Sequence, residues 1–104
     1  MKKTVKLYQD KYLNELKGLV LKVIGREKVK IILFGSRARS DYHRTSDIDV
    51  GLIPYAGFDK KKITLLKAKV EELNIPYKVE IVNFQDTAES FKKEALKEAI
   101  VWKG

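Results

Sequence analysis

The chain has 104 residues, no cysteine, and 22 Lys+Arg against 14 Asp+Glu, a formal net charge of +8 at pH 7. That length suits a single domain, 1–104, and the lack of cysteine excludes disulfides, thiol nucleophiles and cysteine metal sites. No apolar run approaches the about 20 residues that a bilayer span needs, and the lysines that open the chain are not followed by an apolar stretch. No membrane association, no signal peptide and a cytoplasmic location are therefore the expectation. The basic excess favours polyanions such as a nucleotide, a nucleic acid or an acidic protein. It equally fits lysines that only solvate helix faces, since Lys and Glu are abundant while Asn and Gln are scarce.

Apolar periodicity orders the elements. Tyr12, Leu13, Leu16, Leu19, Val20, Val23 and Ile24 recur at helical spacing, and Gly25 offers a stop. "KVKIILF" (Lys28 to Phe34) is short and β-branched and predicts a strand. "SDIDVGLI" (Ser46 to Ile53) predicts a second strand, closed by Pro54 and Gly57. The link between them could hold a short crossover helix or turn the chain back antiparallel. Ile63, Leu66, Val70 and Leu73 stripe a lysine-rich helix whose start, Lys60–Lys62, is electrostatically unfavourable. "YKVEIVNF" (Tyr77 to Phe84) predicts a third strand. Phe91, Ala95, Ala99 and Trp102 fall on one face of a closing helix that Asp86 or Thr87 could cap. The predicted order is α-β-(α)-β-α-β-α, a two-layer α/β (α+β) arrangement with a small sheet and helices packed on it.

The chemistry concentrates in "FGSRARSDYHRTSDIDVGL", Phe34 to Leu52. Successive strand residues face opposite ways, so Asp47 and Asp49 project together while Ile48 and Val50 turn to the other side. Two adjacent carboxylates repel unless a cation lies between them, and Mg²⁺ suits hard oxygen ligands that it shares with phosphates. Upstream, Gly35 permits a sharp bend and a close backbone approach. Ser36 adds a hydroxyl, the next N–H groups can meet phosphate oxygens, and Arg37 and Arg39 add cationic reach. His43 is read as a solvated loop residue and Trp102 as a packing residue.

Gly-Ser, ten residues, then Asp-x-Asp resembles the signature of the DNA polymerase β-like nucleotidyltransferase superfamily. The stretch is similar to its minimal nucleotidyltransferase (MNT) branch, with Ser40 where that branch usually has glycine. The resemblance covers essentially the whole chain and implies a small mixed sheet of the polymerase β-like fold. It also implies a third carboxylate on a later strand, for which Glu80 in "KVEIVNF" is the candidate and Asp86 the fallback; Glu80 could instead lie on an exposed edge and pair with a lysine. The implied reaction is transfer of a nucleoside monophosphate, AMP from ATP, to a hydroxyl with loss of pyrophosphate. Asp47, Asp49 and Glu80 would hold two Mg²⁺ ions roughly 4 Å apart, and Gly35, Ser36, Arg37 and Ser46 would bind the nucleotide. Members of this branch are often paired with a HEPN-domain toxin and act as its antitoxin by adding AMP to a toxin tyrosine. Two other readings stay open: a non-catalytic module that masks a HEPN partner, and a basic nucleic-acid-binding domain.

Overall fold

The computed structural model describes residues 2–39 and 47–104, except for the side chains of residues 2–10 and of Arg39. Its elements are α1 (Lys2–Ile24), β1 (Val29–Phe34), α2 (Ser36–Arg39), β2 (Ile48–Pro54), α3 (Lys61–Glu71), β3 (Val79–Asn83), a 3₁₀ turn (Phe84–Asp86), α4 (Glu89–Lys97) and β4 (Ile100–Lys103). The strands form one mixed sheet in the order β3-β2-β1-β4. β2 and β4 both run antiparallel to β1, and β3 runs parallel to β2. The short link after β1 therefore turns the chain back, and the single turn of α2 fits inside it. The parallel β2/β3 pair needs a crossover, which α3 supplies.

Alternation along the strands divides the apolar residues between the two faces. On one face, Val29, Ile31 and Leu33 of β1 and Ile48, Val50 and Leu52 of β2 pack against Leu16, Val20 and Ile24 of α1 and Ile63 and Leu66 of α3. Leu16, Val20 and Ile24 sit at i, i+4 and i+8 and are fully buried, as the helical stripe predicts. The other face carries a smaller cluster of Ile32, Phe34 and Phe84, with Ala95 and Leu96 of α4 and Ala99 packed on it. Phe84, Phe34 and Phe91 form a three-ring group with centroids 5.2–6.0 Å apart. No helix among the described residues is long and apolar enough to cross a membrane.

The end of the chain departs from the sequence expectation. The closing helix stops at Lys97, and Ile100–Lys103 form β4 on the free edge of β1. Ile-Val-Trp suits a pleated strand better than a helix. Trp102 packs on the α1 side, and the Lys103 ammonium donates to the carbonyls of Glu27 (2.6 Å) and Val29 (2.9 Å). Ala88 occupies the N-cap of α4 without a side-chain bond, so neither Asp86 nor Thr87 caps it. Thr87 instead donates its hydroxyl to the Phe84 carbonyl, which closes the 3₁₀ turn. At α3 the unfavourable lysine run is offset by Asp59, whose carboxylate accepts from the Lys61 N–H at 3.0 Å.

Gly51 decides how closely the small cluster can pack. A Cβ there would meet Phe84 Cε2 at 2.2 Å and Ile32 Cγ1 at 2.9 Å. The Phe84 ring thus lies directly on the β2 backbone. Gly51→Ala should overpack this contact and cost about 1–3 kcal/mol, read as a lower urea midpoint with an unchanged m-value.

Candidate functional site

The strand register brings the candidate carboxylates into one row. Asp49 is opposite Phe34 on β1 and opposite Glu80 on β3, so Phe34, Asp49 and Glu80 run across three strands. The next row on that face is Ile32, Gly51 and Val82. Asp49 and Glu80 therefore share the α4 side of the sheet, above an apolar floor, while Ile48, Val50, Val79 and Ile81 pack on the α1/α3 side. Asp47 lies exposed, immediately before β2.

Gly35 completes the arrangement. Its φ of +79° is a left-handed value that side chains disfavour, and a Cβ built on it would lie 2.5 Å from Asp49 Oδ2. The Asp49 carboxylate thus rests directly over the glycine bend, and the two halves of the sequence motif meet in space. Ser36 opens α2 next to it. The Ala38 N–H bonds the Gly35 carbonyl at 3.1 Å, which tightens the turn.

The electrostatics follow from this geometry. Burial pushes the Asp49 carboxyl above its ordinary value of 3.8, the charges of Glu80 and Asp47 push it further, and Lys78 pulls it back. Glu80 is exposed on the edge strand and forms an ion pair with Lys78 at 3.2 Å. That hydrogen bond, followed by the charges of Glu80 and Asp47, raises the Lys78 ammonium above its ordinary value. Asp47, Asp49 and Glu80 are thus near enough to repel one another. No group of three His, Cys, Asp or Glu side chains among the described residues converges closely enough to hold a metal ion as it stands. A cavity of about 310 Å³ opens beside the Lys78–Glu80 pair, bordered across from it by Lys67 and Glu71 of α3. Another, of about 180 Å³, lies between Gly35, Phe34 and the Phe91 and Glu94 side chains of α4.

Arg37 does not stand open to solvent. Its side chain is buried, at 4% exposure, and its guanidinium lies 4.7 Å from the centre of the Tyr77 ring, close enough for cation–π attraction. Tyr77 in turn meets Tyr12 of α1 edge to face at 5.8 Å. Arg37 therefore fastens α2 to the chain ahead of β3 and, through Tyr77, to α1. Ser46 and His43 lie outside the described residues, as does Ser40. Asp86 falls in the exposed 3₁₀ turn after β3 and is not part of the carboxylate row. The sequence left room for a lysine partner of Glu80 on an exposed edge, which the structure shows to be Lys78, and it gave Tyr77 no role at the site. The i, i+2 spacing of Lys78 and Glu80 on a strand was the available signal for that lysine.

Residues 21–103 match the family model described as polymerase beta, nucleotidyltransferase. The chain belongs to this family. Among solved structures, it is similar to a toxin–antitoxin complex with AMP-PNP, at 21% identity and a TM-score of 0.64, over 85% of this chain and 73% of that one. It is also similar to a structure of a tri-AMPylated HEPN toxin from Shewanella oneidensis in complex with its MNT antitoxin, at 20% identity and a TM-score of 0.62, over 92% and 72%. A structure described as a minimal nucleotidyltransferase matches at 24% identity and a TM-score of 0.60, over 94% and 92%. At these identities the likeness is one of fold. None of the curated proteins compared with the chain matches it in sequence.

Two outcomes follow from the crowding at Asp49. Because its folded-state pKa lies above the unfolded value, the folded chain binds more protons in the window upward from pH 3.8, and this group's contribution to stability falls as pH rises through that window. Asp49→Asn should therefore raise Tm at pH 7 and flatten that part of the Tm–pH curve, as read by calorimetry. Gly35→Ala should cost about 1–2 kcal/mol, the penalty for a side chain at a left-handed position, and should turn the Asp49 carboxylate away. Urea unfolding measures the first effect.

Proposed function

We propose that this nucleotidyltransferase-family chain, acting as one domain over 1–104, transfers AMP from ATP to a hydroxyl, and that the acceptor is a tyrosine of a HEPN-domain toxin. The observation that carries the reading is the placement of the Asp49 carboxylate over the Gly35 bend and in register with Glu80. An acidic row beside a glycine turn is what phosphoryl chemistry requires, since polyphosphate and metal must be held side by side. The similarity to toxin–antitoxin complexes supports the choice of acceptor.

The donor set fits Mg²⁺ in kind. It consists of oxygen only, and the Asp49 carboxyl is raised by burial first and by the charges of Glu80 and Asp47 after it, a cost that a bound cation would relieve. Asp47, Asp49 and Glu80 would hold the ions, which supply charge neutralisation of the triphosphate and activation of the acceptor hydroxyl. The chain's own residues do the positioning. Gly35 leaves the bend free of a side chain, so the backbone and the Ser36 hydroxyl can approach the β- and γ-phosphates, and Ser46 is assigned to the same nucleotide. Arg37 acts at one remove by fixing α2. Glu80 takes the proton of the acceptor hydroxyl as its oxygen attacks the α-phosphorus in line, the new P–O bond forms, and the bond to the β-phosphate oxygen breaks to release pyrophosphate. The apolar floor of Phe34 and Phe84 limits water beneath the reacting groups.

The test is incubation with α-labelled ATP, Mg²⁺ and the product of the neighbouring gene. Label is expected on that protein and should vanish when EDTA removes the metal. Asp47→Asn and Asp49→Asn should each lower the rate by at least about 10²–10³-fold with an intact circular dichroism spectrum. A stable complex that never acquires label would show a masking module in place of an enzyme. Full activity in either variant would refute the carboxylate assignment.

A further inference from the structure

Lys78 is the residue at this site that the proposed reaction leaves unused. It directly precedes β3, and its carbonyl accepts the N–H of Ile48, the residue between Asp47 and Asp49, at 2.9 Å. That bond pins its backbone beside the aspartate pair. Its side chain leaves on the same face as Glu80, two residues on, and its ammonium reaches the Glu80 carboxylate at 3.2 Å. Both side chains are well exposed, so the four-carbon stem can leave this position without breaking a packed contact. Among the described cations of the motif, Arg37 is buried against the Tyr77 ring.

Given the metal-dependent reading above, on which this step rests, we infer that Lys78 is a tethered counter-cation. It neutralises the carboxylate row in the resting chain and must be displaced from Glu80 before a divalent ion can bind there. It is a positioning residue that sets the metal affinity of the site, because every ion that enters competes with an ammonium already attached to one of its ligands. The pair also accounts for the failure of the three acids to converge: Glu80 is drawn toward Lys78.

The experiment is calorimetric titration of Mn²⁺ into the metal-free chain without nucleotide, at low and high salt. Lys78→Met should tighten Mn²⁺ binding by about two- to fivefold, the range set by an exposed ion pair, with a smaller gain at high salt. Lys78→Arg keeps the charge and should bind like the wild type. Lys22→Met, the same loss of charge on α1, should have no effect, and adding Glu80→Gln to Lys78→Met should abolish the gain. Equal or weaker binding by Lys78→Met overturns the inference while leaving the metal site standing. An effect of Lys22→Met as large as that of Lys78→Met overturns it too, by reducing it to net charge. If the wild type binds no Mn²⁺ at all, the metal reading itself fails and this inference fails with it.

Discussion

The structure depends on holding like charges together at the open end of a sheet. Asp49 is half-buried, flanked by Glu80 on one neighbouring strand and preceded by Asp47. Burial, and then the charges of Glu80 and Asp47, raise its carboxyl above the ordinary value. Such a site is tolerable only because its floor is built separately. The α1/α3 layer buries a continuous apolar core on the opposite face, and the aromatic group of Phe34 and Phe84 fills the space below the acids. The energy that folds the domain comes from layers in which the carboxylates take no part.

Around that row, each element has a separable task. The β1–β2 hairpin supplies Gly35 and Asp49 and fixes the distance between them. The crossover through α3 returns the chain alongside β2 and delivers Glu80 at the matching height. The contact of Arg37 with the Tyr77 ring, and the edge-to-face contact of Tyr77 with Tyr12, tie the bend to the chain before β3 and to the long first helix. The site therefore rests on rigid strands, with a cross-braced turn above it.

Much of this was legible from residue order. The stripe at Leu16, Val20 and Ile24 and the three strand runs are periodic signals with one reading each. The Asp-x-Asp spacing predicts that both acids share a face; the register puts Asp49 in the row with Glu80, while Asp47 precedes the strand. What was not legible depended on pairing partners. Nothing local says whether the residues after Phe34 cross over or turn back, because both need only a short link. Ile100–Lys103 continued a helical pattern through Ala95 and Ala99, and only the vacant edge of β1 makes it a strand. Arg37 reads as a phosphate ligand by type, yet the ring that captures it lies forty residues away in sequence, at Tyr77. Glu80 was legible as an acid in an apolar strand and its i, i+2 spacing from Lys78 was there to be read, but its alignment with Asp49 is a property of register.

That register has a consequence for the fidelity of folding. In a strand with an apolar face and an opposite face that carries Asp49, a slip of a single residue exchanges the two. Sliding β2 by one position would turn Asp49 toward the layer of α1 and α3 and take Ile48 and Val50 out of that core, at a cost of several kcal/mol for the stranded carboxylate. The group that makes the correct sheet awkward makes the misaligned one far worse. The acid thereby polices the alignment of the strand that carries it.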